Sequence, residues 1–144
     1  MVSPSRMTLL VVEDNADWRA IIANRLQSIC ELVGFVERGD EILKAAQKFR
    51  PELITLDIAL PGESGLNVLP RLRAQFPETV VIVISMTEAQ IYKDEAFARG
   101  VDAYIEKRNV LSDLVEAVAS ARDRRRKRSA DHFDSMTADA IQSN

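Results

Sequence analysis

Five times along the chain a short apolar run is followed by a stretch whose apolar residues recur every three or four positions, and this alternation limits the fold more than any other feature. Leu9 to Val12 reads as a buried strand. Trp18, Ile21, Ile22, Leu26 and Ile29 follow at helical spacing behind Asn15, which sits where an N-cap belongs. Leu32 to Val36 is a second strand, and Ile42, Ala45, Ala46 and Phe49 line a second helix that Pro51 stops. Leu53 to Leu56 precedes a helix carrying Leu66, Leu69, Leu72 and Phe76. Pro70 lies inside that helix, where its missing amide and the crowded Leu66 carbonyl predict a bend or an irregular first turn. Val80 to Ile84, the run richest in β-branched residues, is predicted as the central strand. A helix from Ala89 to Arg99 has a thin apolar face of Ile91, Tyr92, Ala96 and Phe97, and Gly100 closes it. Ala103 to Ile105 is a last short strand, after which Val110, Leu111, Leu114, Val115 and Val118 mark a helix running into arginines. Strands alternating with helices need crossover connections, so the expected class is α/β, a five-stranded parallel sheet with helices on both faces.

With 144 residues, 47% of them apolar, the chain is the size of one domain with a single core. The longest apolar run, Val80 to Ile84, is far short of a membrane span, and the N-terminal MVSPSRM lacks the apolar stretch of a signal peptide. A cytoplasmic location and no membrane partner are expected. Cys30 is the only cysteine, which excludes an internal disulfide or a cysteine-based zinc site; it reads as a filler thiol near the end of a helical face. Residues 1–121 carry 13 Lys and Arg against 18 Asp and Glu, a net −5, whereas the remainder, opening with RDRRRKR, carries 6 against 4. That basic block reads as solvated cations complementing a helix terminus, since it is short and has no interleaved aromatics to stack on bases. Beyond about Ser129 few apolar residues remain, and fraying is expected there. His132 has no evident partner. The expected division is a domain over 7–121 and a basic helical extension with a flexible tail over 122–144.

The strand ends carry the chemistry. VVEDN ends the first strand on Glu13 and Asp14, LITLD ends the third on Asp57, VIVIS ends the fourth on Ser85, and Lys107 follows the fifth. In an open parallel sheet these ends share one edge, and the crevice lies where successive connections go to opposite faces. Three carboxylates brought close cannot all stay ionised without a cation, and an oxygen-only donor set favours Mg²⁺ over zinc or copper. Acids, a hydroxyl and a lysine around one point suggest phosphoryl chemistry with Asp57 as nucleophile, Lys107 neutralising charge and Ser85 donating a hydrogen bond.

At these residues the chain resembles the receiver domain of two-component response regulators. The resemblance is carried by VVEDN, LITLDIALPGESGL, VIVISM and GVDAYIEK, in order, over about Met7 to Ala121. It implies a doubly wound, flavodoxin-like sheet in strand order 2-1-3-4-5. It also implies phosphorylation of Asp57 by a histidine kinase or phosphotransfer protein, with Mg²⁺ (or Mn²⁺) held by Asp14, Asp57 and the Ala59 carbonyl, and by Glu13 through water. Ser85 would move toward the phosphoryl group and Tyr104 would turn into the space it leaves. Taken singly, Glu13 or Asp14 could cap the following helix, Ser85 could satisfy a loop amide and Lys107 could be solvated; Tyr104 is more ambiguous still, since an aromatic at a sheet edge is often simply packed. The output would be a protein target or a homodimer engaged through the fourth helix, fifth strand and fifth helix. Beyond self-catalysed phosphorylation and dephosphorylation no enzyme activity is expected. Two alternatives compete: the receiver part of a longer DNA-binding transcriptional regulator, and an aspartate-nucleophile phosphohydrolase. Ala59 argues against the latter, because such enzymes carry a second acid at that position. Nucleic-acid binding by this chain alone is not expected. Arg108 stands where many receivers have proline, and Trp18 reads as core.

Overall fold

The computed structural model describes residues 6–142, with side chains through residue 137. Strands β1 (Met7–Val12), β2 (Cys30–Val36), β3 (Leu53–Leu56), β4 (Val80–Ser85) and β5 (Ala103–Glu106) form one parallel sheet in the order β2-β1-β3-β4-β5. Helices α1 (Ala16–Leu26), α2 (Ile42–Phe49), α3 (Gly65–Gln75), α4 (Gln90–Ala98) and α5 (Val110–Gln142) make the crossovers. This is the expected doubly wound, flavodoxin-like arrangement. Successive strand residues point to opposite faces. Leu10, Val12, Ile54, Leu56, Val81 and Val83 therefore pack against α2, α3 and α4, while Leu9, Val11, Leu53, Val80, Ile82 and Ile84 pack against α1 and α5.

Several local expectations are corrected. The middle strand is β3, not Val80–Ile84; the β-branched content of β4 reflects burial on both faces, since β3 and β5 flank it and all six of its residues are buried. Helix α1 ends at Leu26, so Ile29 lies in the turn beyond it, its carbonyl accepting from the Met7 amide, and Cys30 opens β2 rather than closing a helical face. In α5 the buried stripe is Val110, Leu114, Val118 and Ala121, and Leu111 is exposed. Helix α5 continues past Ser129 to Gln142, over residues that contain neither glycine nor proline. The basic block is accordingly mid-helix and does not complement a terminus. Nor is all of it solvated, because Arg124 donates to the Asp102 carbonyl and Arg125 pairs with the Asp102 carboxylate at 2.8 Å.

Two chain reversals follow from local sterics. Helix α2 ends on Arg50, held left-handed at φ 44°, because the following Pro51 disfavours a right-handed helical conformation there. Gly39 is required by close approach, since a Cβ there would sit 1.6 Å from the Glu63 carbonyl oxygen. Helix α3 continues through Pro70. The Leu66 carbonyl that proline leaves without an amide accepts instead from Arg99 Nη1 at 2.8 Å.

Candidate functional site

The connection from β1 goes to one face of the sheet and that from β3 to the other, so the crevice opens at the ends of these neighbouring strands. Val12 and Leu56 are paired in register, which sends Glu13 and Asp57 out side by side. Their backbones stay tied to the sheet: the Asp57 amide donates to the Val12 carbonyl at 2.9 Å and the Glu13 amide to the Val36 carbonyl at 3.0 Å. Both side chains are buried, whereas Asp14 is exposed at the rim. Carboxylate oxygens of Glu13, Asp14 and Asp57 all lie within 4.8 Å of one another.

Lys107 reaches this cluster from the end of β5 through the short 3₁₀ turn Lys107–Asn109. Its Nζ donates to Asp57 Oδ2 at 3.0 Å and to Glu13 Oε1, and only 7% of the residue is accessible. Asp57 Oδ1 accepts from the Ala59 amide at 2.9 Å, and Glu13 Oε2 from the Asp14 amide at 3.1 Å. Burial pushes the Glu13 carboxyl up to about 7, with Asp57 adding to the rise and Lys107 opposing it. Burial alone would lower the Lys107 ammonium, but its bonds to Glu13 and Asp57 outweigh that and hold it above its ordinary value. One ammonium thus serves two of the three acids, Glu13 and Asp57, an incomplete neutralisation that leaves the cluster short of positive charge.

Ser85 ends β4 and lines, with Asp57, Ala59, Leu66, Met86 and Tyr92, a cavity of about 420 Å³. Its Oγ accepts from the Thr87 amide at 3.2 Å. The Thr87 carbonyl accepts from the Tyr104 hydroxyl at 2.9 Å, and the half-buried Tyr104 ring packs on the core beneath α2, α3 and α4. Glu13, Asp14, Asp57, Ala59, Ser85 and Lys107 therefore meet at this one edge, and Tyr104, packed on the core, reaches it through the Thr87 carbonyl. Sequence reasoning missed two neighbours. Trp18, read as core, has its ring centroid 5.1 Å from Lys107 Nζ, and Arg19 donates to the Glu13 carbonyl, pairs with Glu37 at 3.2 Å and stacks on Phe35. The available signal was position: both lie in the first turn behind the Asn15 cap, directly after the acid pair. Arg108, in the place of a proline, pairs with Glu88 and Glu106, each at 2.7 Å.

The family model described as the response regulator receiver domain matches residues 9–119. The chain is 31% identical over 116 residues to chemotaxis protein CheY of Listeria monocytogenes, covering 80% of this chain and 98% of that one. It is 28% identical over 112 residues to response regulator GacA of Pseudomonas viridiflava, covering 76% of this chain and 52% of GacA. The response regulator domain of Thermotoga maritima CheB superposes with a TM-score of 0.75 at 27% identity, covering 83% of this chain and 98% of that one. Several of the curated relatives are longer, and the chain spans between a quarter and about half of their length.

Proposed function

Because this chain belongs to the response regulator receiver domain family, we propose that Asp57 is its phosphoacceptor and that phosphorylation there switches an interaction surface. The observation that carries the reading is the Asp57 carboxylate at a strand tip, one oxygen on Lys107 and the other on the Ala59 amide, inside an under-neutralised acidic cluster. The donor set fits a hard divalent cation, since it is all oxygen and holds a Glu13 carboxyl whose pKa is raised by burial and further by Asp57. Asp14, Asp57 and the Ala59 carbonyl would hold Mg²⁺ (or Mn²⁺), with Glu13 acting through water. The ion would supply neutralisation of charge on the transferred phosphoryl oxygens.

The chain's own groups do the rest. An Asp57 carboxylate oxygen forms the new bond to phosphorus as the bond from phosphorus to the donor's imidazole nitrogen breaks; the electron pair stays on that nitrogen, which takes up a proton. The donor is a phosphohistidine of a kinase or phosphotransfer protein. Lys107 follows the charge from the carboxylate to the phosphoryl oxygens, and the Ser85 hydroxyl donates to one of them. The Ser85–Thr87 segment is tied to Tyr104 through the Thr87 carbonyl, so a shift of that segment toward the phosphoryl group pulls on the ring. Helix α4 buries only Ala96 and leaves Ile91, Tyr92 and Phe97 exposed, which makes it the element freest to move. The face of α4, β5 and α5 is therefore the output surface for a protein target or a second copy, in the cytoplasm. Among the described residues no helix is long and apolar enough to cross a membrane.

That the chain spans about half of GacA favours one further reading, in which it is the receiver part of a longer DNA-binding transcriptional regulator. Incubation with a small phosphodonor and Mg²⁺ followed by intact mass tests the main proposal. A phosphoryl adduct is expected on the wild type and not on Asp57→Ala. An adduct that survives the substitution, or rapid turnover of many phosphomonoesters, overturns it.

A further inference from the structure

We infer that Trp18 is a positioning residue for phosphoryl transfer, its indole face keeping the Lys107 ammonium at the crevice when the carboxylates that now hold it are engaged elsewhere. The inference rests on the reading of Asp57 as phosphoacceptor. Lys107 Nζ has three close partners: Glu13 Oε1, Asp57 Oδ2 at 3.0 Å, and the Trp18 ring with its centroid at 5.1 Å. The two carboxylates belong to the cluster suited to a divalent ion. Once a cation draws on Glu13 and Asp57, and until phosphoryl oxygens reach Lys107, both anionic contacts are weakened together. A lysine that is 7% accessible would then hold its charge with little compensation, and its flexible stem would let it swing away. The aromatic face is the one partner that the chemistry leaves unchanged. It attracts the cation through the ring quadrupole, within the distance at which that attraction is significant.

The placement of the ring follows from the local sequence. Asn15 Oδ1 accepts from the Trp18 amide at 2.9 Å, which fixes Trp18 as the third residue of α1. Helical side chains lean toward the helix N-terminus, so a long side chain in the first turn reaches back over the strand end that delivers Glu13. The side chain also packs, partly buried, on the core beneath α1 and α5, which restricts the ring's orientation. Arg19, the nearest other cation on α1, is occupied by the Glu13 carbonyl, Glu37 and the Phe35 ring. A leucine would keep an apolar side chain at position 18 but would fill less space and offer no quadrupole.

The test measures phosphorylation rate by intact mass, with a small phosphodonor and saturating Mg²⁺, for wild type, Trp18→Phe and Trp18→Leu. Each is made in the Lys107 and the Lys107→Met backgrounds. Trp18→Leu is expected to slow the reaction by about fivefold, with Trp18→Phe recovering most of the loss. In Lys107→Met the same change should alter the rate less than about twofold. Equal losses in both backgrounds would mean simple packing and overturn the inference, as would a Trp18→Leu rate equal to wild type. Trp18 is the sole tryptophan, so a second readout leaves it in place and needs neither cation nor donor. Lys107→Met should shift the emission of the folded protein, and an unchanged spectrum also overturns the inference. If the wild type accepts no phosphoryl group, the Asp57 reading fails and takes this inference with it; if it does and the Trp18 variants match it, only this inference falls.

Discussion

Glu13 is fully buried beside another acid, and its carboxyl holds a proton to about pH 7 where an exposed one would lose it near 4.5. The folded state binds that proton more tightly than the unfolded chain. Glu13 therefore supports the cation-free fold below about pH 4.5, and that support is lost as pH rises through 7. Glu13→Gln keeps an oxygen for Lys107 and cannot ionise. In urea titrations without divalent cations, the variant should gain on wild type between pH 5 and 8 by on the order of 2 kcal/mol. A stability difference that is flat with pH would contradict the assignment. A second residue-scale prediction concerns Thr55, 1% accessible in the middle of β3 between Val11 and Ile82, whose hydroxyl has no hydrogen-bond partner among the described residues. Thr55→Val should stabilise the fold by roughly 1 kcal/mol, read as a higher urea midpoint with an unchanged slope.

Helix α3 shows how one element's defect becomes another's anchor. Pro70 frees the Leu66 carbonyl, and Arg99 at the end of α4 fills the vacancy. Arg99→Ala should cost about 1 kcal/mol in the native background and distinctly less beside Pro70→Ala, where the restored amide satisfies Leu66; equal costs in a double-mutant cycle would refute the coupling. Hydrogen exchange should likewise find α4 amides less protected than those of α5 through Ala121, since α4 buries little besides Ala96. At this scale the sequence was legible where apolar period and burial agree. β3 was delimited as Leu53–Leu56, and α2 and α3 were anticipated from their apolar spacing. It was misleading where local pattern and tertiary context part. Ile29 continues a helical period but is claimed by the turn into β2, and Leu111 belongs to an apolar run but points to water because α5 presents only one stripe to the sheet.

Two charged clusters lie at opposite ends of the strands. Glu13, Asp14 and Asp57 gather at the C-terminal ends of the strands, while Arg73 and Arg125 converge on Asp102 just ahead of β5, and Asp102 also accepts from the Val81 amide at 2.8 Å. The folded unit thus makes contacts beyond Ala121. We expect truncation after Ser129 to leave the urea midpoint essentially unchanged, and truncation after Ala121 to cost about 1–2 kcal/mol through loss of Arg125; similar midpoints for both would contradict this. The cluster of acids, hydroxyl and lysine could be assembled from sequence because parallel topology sends all strand ends to one rim. Trp18 is harder to place, because its contact with Lys107 runs through the Asn15 cap of α1 and no strand end announces it. The central claim is that Asp57 itself carries the phosphoryl group. Borohydride reduction of the phosphodonor-treated protein, followed by peptide mapping, locates an acyl phosphate by converting its side chain to an alcohol. Conversion at Asp57 alone is the predicted result; conversion at Glu13 or Asp14, or at none of the three in a protein that has gained phosphoryl mass, would contradict it.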